Sequence, residues 1–211
     1  EDISLEPKPD FVLTEKDPSK VFIPGFSTSP FIKTLIGRYV IISEVTSGTQ
    51  LFFGIISDNF SLGTEYQFIK LGRFIERADM VSRIIDSQVL RKNQDGVDSE
   101  FYNIEWASIL RSLSAYESFM ISKGIISKAE IIEVLIKSHE FPRSILNCLK
   151  NVSDSLNNLP KNKKIKNEID ILIRKLLKSR IYFKEDEKIH KFIDEIQLKL
   201  NIINNLFSKT Y

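Results

Sequence analysis

From residue 31 to its end, apolar residues recur along this chain at three- and four-residue steps, the period of one face of an α-helix. The pattern predicts six helices, or seven on a strict count. The first covers 31–57, with Leu35, Tyr39, Ile42, Leu51 and Ile55 as its apolar positions and Gly48 as a bend point. The second covers 64–90 and opens on Thr64, with Gln67 three residues later as a capping-box partner. The third runs over 99–121 through Phe101, Ile104, Ile109, Leu113, Tyr116 and Met120. The fourth spans 127–138 and starts on a Ser127-x-x-Glu130 box. The fifth begins near Pro142, a residue tolerated in a first turn, and ends before Pro160. Two more cover 162–180 and 184–208. Strand-like alternation bounded by turn residues is absent, and Tyr39-Val40-Ile41-Ile42 reads as part of a helix. An all-α helical bundle is the expected fold class.

Residues 1–30 stand apart. Five of the seven prolines lie there, and each removes a backbone donor and resists helix propagation. The expected organisation is a Pro-rich arm, extended or partly disordered, over 1–30, followed by a helical domain over 31–211. The apolar patch Val21-Phe22-Ile23 is the part of the arm suited to docking on the body.

Composition narrows the class. With 42% hydrophobic residues among 211 the chain buries a sizeable core, and 27% charged residues is ordinary for a water-soluble domain. A formal net charge of +2 is too small to imply a nucleic-acid partner. The lone Cys148 excludes an intrachain disulfide and fits a reducing, cytoplasmic compartment. No apolar run approaches the roughly 20 residues of a membrane helix. The opening Glu1-Asp2-Ile3-Ser4 has no Met, basic segment or apolar stretch. No signal peptide is therefore expected, and residue 1 is not expected to be the native start.

Candidate chemistry concentrates on the second helix. At 100° per residue, Phe68, Leu71, Phe74, Ile75, Ala78, Val81 and Ile85 share a broad apolar face. Gly72, Glu76, Asp79, Arg83 and Asp86 fall on a narrow stripe along its edge, and Arg73 and Arg77 lie on the other side, one turn apart. The spacing permits Arg73–Glu76 and Asp79–Arg83 pairs. Such pairs ordinarily make a solvated face worth about 0.3–0.5 kcal/mol each. Gly72 costs about 1 kcal/mol against Ala inside a helix, so close approach of another helix or of a ligand is expected there. Two carboxylates without an E-x-x-H pattern do not make a di-iron bundle, so no metal and no cofactor is expected.

Arg143 follows Pro142 at a helix start, where backbone N–H groups favour anions. Its guanidinium suits a bidentate clamp on a carboxylate or phosphate, or an internal pair with Glu76 or Asp79. Ser144 reads as a helix-start hydrogen-bonder, and Trp106, Tyr116 and Cys148 read as core. Glu76 and His190 are the weak candidates for proton transfer; a lone His on a packed helix is more often a hydrogen-bonded core residue. The basic run Lys161, Lys163, Lys164, Lys166, Arg174, Lys175, Lys178 and Arg180 lacks the interleaved aromatics of a base-stacking platform. It reads as a solvated helix face.

The stretch Leu71-Gly72-Arg73-Phe74-Ile75-Glu76-Arg77-Ala78-Asp79, continuing to Asp86, resembles the helix that gives the Alpha-E (conserved Glu-Arg motif) family its name. Four further segments resemble that family in the right order. They are 51–58 (LFFGIISD), 106–116 (WASILRSLSAY), Phe141-Pro142-Arg143-Ser144, and Ile189-His190-Lys191-Phe192-Ile193-Asp194, which resembles a closing helix where His-x-Phe-Leu-Asp is usual, with Ile193 in the place of Leu. Glu65-Tyr66 stand where Gly-Trp is common, and Lys188-Ile189 where Gly-Leu is. The resemblance covers about 45–211 and matches the second of two related halves that members often carry. It implies an all-helical bacterial domain whose members are encoded beside, or fused to, ATP-grasp ligases and transglutaminase-like peptidases. Three functions follow as expectations. One is a helical accessory domain in a peptide- or amide-ligation system, partnered by such a ligase, by such a peptidase or by an N-terminal Alpha-E half. The second is an enzyme whose Arg73, Arg77 and Arg143 hold an anionic substrate while Glu76 or His190 moves a proton. The third is a purely structural interaction bundle.

Overall fold

The computed structural model describes residues 30–95, 102–179 and 185–211. The Pro-rich arm and its Val21-Phe22-Ile23 patch lie outside the described residues. Two compact units divide between Phe60 and Ser61. The first contains α1 (Pro30–Asn59), closed at its end by a bond from the Asn59 side chain to the Ile55 carbonyl.

The second unit holds α2 (Thr64–Asp95), α3 (Tyr102–Ser112), α4 (Tyr116–Lys123), α5 (Lys128–Lys137), α6 (Ile145–Leu156), α7 (Lys163–Lys178) and α8 (Asp186–Thr210). No strand occurs among the described residues. The 32-residue α2 is the spine: α6 packs along it, and so does α8. α7 bridges α6 and α8, while α3, α4 and α5 pack together beside α6. Each element turns one apolar stripe inward. On α2 it is Leu71, Ala78, Val81, Ile85 and Val89; on α7, Ile165, Ile169, Leu172 and Leu176; on α8, Ile189, Phe192, Ile193, Ile196, Leu200 and Ile203. Burying a side chain of this size contributes about 1.5–3 kcal/mol, so tertiary packing holds these helices more than propensity does.

The single helix expected over 99–121 is two. The chain breaks at Ser114, whose φ of 54° lies in the left-handed region. The Ala115 N–H donates back to the Leu110 carbonyl at 2.7 Å and closes the turn. The break rotates the second half so that Ala115 and Phe119 become core, while Ile104 and Ile121, on the expected apolar run and its end, stay exposed. Tyr116 lies half-buried under the Arg111 guanidinium, 4.5 Å from ring centre to cation, and Trp106 is core at 1% exposure. This break gives eight helices among the described residues.

The capping chemistry is mixed. Ser127 caps α5 by accepting from the Glu130 N–H. Thr64 is itself the first residue of α2, and the Gln67 side chain donates to the Leu62 carbonyl at 3.2 Å. Among the described residues Gly72 is not a point of close approach between helices, because a Cβ added there meets nothing within 4 Å. Gly72→Ala is therefore expected to stabilise the fold by about 0.5–1 kcal/mol through helix propensity and a less flexible unfolded chain. Urea titration of the two proteins checks this; a loss of stability would mean that the position serves a contact absent here.

Candidate functional site

The Phe141-Pro142-Arg143-Ser144 segment becomes a tight turn that launches α6. Ser144 is the N-cap: its Oγ accepts from the Asn147 N–H at 3.1 Å and donates to the Ser138 carbonyl. The Ser138 Oγ in turn accepts from the Phe141 and Glu140 N–H groups. Ser144 is fully buried, and its hydroxyl is held at both its donor and acceptor sides. That is the arrangement of a structural cap, not of a nucleophile. The cap sets Arg143, one residue earlier, at the mouth of the helix.

Arg143 meets the motif helix there. Arg77 on α2 is half-buried, and its guanidinium is held below the ordinary arginine value. Burial is the main cause, followed by the positive charges of Arg73 and Arg143. Three arginines from α2 and the α6 turn thus share one neighbourhood. Among the described residues, neither Arg77 nor Arg143 makes an ion pair or hydrogen bond. Arg77 and Lys70 lie on the Phe74 ring, at 5.7 and 6.0 Å from its centre, a cation–π arrangement that holds positive charge without neutralising it.

Cys148, one turn into α6, lies beneath this group. Its thiol is fully buried and pushed up to about 11 by burial, against the pull of Arg77 and Arg143. The Sγ–H donates to the Pro142 carbonyl at 3.7 Å. Because the folded-state value lies above the ordinary 9.0, folding favours the neutral thiol. Its contribution is fully present below about pH 9 and is lost as pH rises towards 11. Wild type is therefore expected to lose stability between pH 8 and 10.5 more steeply than Cys148→Ala. Thiol reagents are expected to reach Cys148 only on unfolding. Parallel curves for the two proteins would refute the assignment.

The other motif charges go elsewhere. Glu76 is exposed, and its charge is felt by Arg83. Asp79 accepts a hydrogen bond from Arg83 Nε at 2.6 Å, a pair within α2 and on its surface. Glu76 and Asp79 thus do not join Arg143 across a helix seam. A cleft lies between α4 and α5, bordered by Phe119, Val134, Lys137 and Phe141, and none of the three arginines lines it. Of the basic run on α7, Lys166 binds the Asn157 side chain and Lys175 pairs with Glu195; Lys163, Lys164, Arg174 and Lys178 form an exposed face. Arg180 lies outside the described residues.

His190 belongs to a second cluster. Its Nδ1 meets Asp86 Oδ1 at 2.6 Å, joining α8 to α2, and its Nε2 faces Asp194 Oδ2 at 3.4 Å. The hydrogen bond with Asp86 is the main reason the imidazole is raised above its ordinary value. Asp86 lies nine residues beyond Arg77, about 13 Å along the helix axis. The sequence signal for this cluster was the His190-x-x-x-Asp194 spacing, one helical turn, together with Asp86 on the polar stripe. Its partners are 104 residues apart, so only the fold assembles it.

The fold and site together define an all-helical bundle built on a charged motif helix. The chain belongs to the Alpha-E family, described as a predicted alpha-helical domain with a conserved ER motif; the family model matches residues 29–211. No curated protein and no solved structure matches it. Among the described residues, no helix is long and apolar enough to cross a membrane.

Proposed function

We propose that this domain is a non-catalytic accessory module that receives an anionic group, a carboxylate or phosphate, at Arg73, Arg77 and Arg143, within a cytoplasmic ATP-grasp-type ligation system. One observation carries this reading. Arg77 is half-buried, it feels the like charges of Arg73 and Arg143, and among the described residues neither Arg77 nor Arg143 has a carboxylate partner. The like charges of Arg77 and Arg143 beside a helix N-terminus favour the arrival of an anion. The link to a ligase rests on the family resemblance, since such enzymes handle carboxylates and their phosphoryl derivatives. Accessory function is favoured over catalysis by the placement of the two proton-moving candidates. Glu76 is exposed and felt by Arg83, and His190 is engaged by Asp86 about 13 Å along α2 from Arg77.

The test is thermal unfolding of the whole chain in rising orthophosphate at constant ionic strength, with a pull-down against a co-expressed neighbouring ATP-grasp ligase. Saturable stabilisation by phosphate and recovery of the ligase are expected. No phosphate response beyond that of chloride would overturn the anion site; a folded domain that recovers no ligase would overturn the partner.

A further inference from the structure

A second cluster of polar side chains lies across α2 and α8, on residues that the proposed anion site does not use. The ligand atoms of Asp86, His190 and Asp194 lie within 4.8 Å of one another. Asp86 is the most enclosed of the three, with its side chain 15% exposed, and it takes the Nδ1 side of the ring at 2.6 Å. A carboxylate can only accept, so Nδ1 bears the hydrogen in that contact, and in the neutral ring the Nε2 lone pair faces outward, towards Asp194. The Nε2 to Oδ2 distance of 3.4 Å is long for an N–H···O bond, which prefers about 2.7–3.2 Å. It matches a different geometry: two ligand atoms, each about 2.1 Å from a tetrahedral ion, stand about 3.4 Å apart.

From this geometry we infer that His190 Nε2 and Asp194 Oδ2 form a binding site for a borderline divalent transition-metal ion such as Zn²⁺, with Asp86 orienting the imidazole from behind. The spacing places both ligands on one face of α8, one turn apart. The carboxylate behind the ring makes Nε2 a better donor, the usual arrangement around metal-binding histidines. The neighbouring cations on α8 do not serve Asp194, because Lys188 pairs with Glu185 at 2.8 Å and Lys191 with Glu187 at 3.2 Å. His190 and Asp194 are 33% and 49% exposed at their side chains, so the outer half of the coordination sphere is open to water or to an oxygen of an incoming group. Two protein ligands with an open face imply modest, exchangeable binding rather than a closed structural site.

The experiment is calorimetric titration of the full chain with Zn²⁺ alone, in a buffer free of chelating anions. The panel is wild type, Asp194→Asn, His190→Gln, Asp86→Asn and His139→Gln, each checked for helical content. One saturable site per chain is expected in wild type and in His139→Gln. At least tenfold weakening is expected in Asp194→Asn and His190→Gln, and about 10–100-fold in Asp86→Asn. Asp194 is half-exposed, so its variant folds and keeps the test decisive should Asp86→Asn not fold. No saturable uptake by wild type below millimolar Zn²⁺ would overturn the site. So would uptake that survives both Asp194→Asn and His190→Gln, or that vanishes in His139→Gln.

Discussion

Replacing Leu146 by Ala is expected to lower the stability of the domain by about 2–5 kcal/mol, with the larger half of that range favoured by its surroundings. Leu146 has no solvent exposure. It lies in the first turn of α6, the helix that α2, α5 and α7 all pack against. A wall built from three helices does not collapse into the space a lost isobutyl group leaves, so the cavity contribution adds to the lost transfer energy. For a chain of this size the melting temperature falls by roughly 2–4 °C per kcal/mol. Urea titration is the direct check: the midpoint moves to lower concentration while the slope is unchanged. Ile121→Ala is the control. Ile121 is 89% exposed, and its truncation is expected to stay within about 0.5 kcal/mol. A loss below 1 kcal/mol at Leu146 would mean that α6 does not sit in the core, and that Arg143 is not held against Arg77 by it.

Much of this fold is legible in the sequence because helix periodicity is a local signal. The stripe Leu71, Ala78, Val81, Ile85 follows from spacing, and so do the Ser127 cap and the exposed basic face of α7. The break at Ser114 is not legible in that way. Nothing about a serine announces a positive φ; the conformation is imposed by the burial of Ala115 and Phe119 on a new axis. Gly72 teaches the converse lesson. Its cost inside a helix predicts a neighbour pressed against it, yet no described residue comes within 4 Å of a Cβ placed there. The candidate site divides similarly. That Arg73 and Arg77 share a side of α2 is helical geometry; that Arg143 joins them depends on the α2–α6 packing. Glu76 and Asp79 share a stripe with Asp86, but one stripe on a long helix has several environments. Asp79 closes on Arg83 at the surface, whereas Asp86 meets His190 from the far end of the chain.

Arg143→Gln is expected to separate stability from binding. Arg73 and Arg143 both act on Arg77 as like charges, and the charge of Arg143 is among the causes that depress its guanidinium. Removing that charge is expected to stabilise the unliganded domain by about 0.5–1 kcal/mol, a modest figure because a half-exposed guanidinium is screened by water. The gain from phosphate moves the opposite way. A specific anion at one hundred times its dissociation constant contributes about 2.7 kcal/mol of stability, and most of that is expected to vanish when the bidentate clamp is lost. Arg77→Met is expected to behave likewise, because the half-buried stem keeps its packing while the charge goes. Arg174→Gln, on the exposed face of α7, serves as the charge-matched control. Thermal melts of all four proteins, with and without phosphate, decide the matter. If Arg143→Gln and Arg77→Met both lost stability without anion and responded to phosphate as wild type does, the three arginines would be a structural cluster. A binding site built on repulsion has the reverse signature: each variant is more stable alone and gains little from the anion.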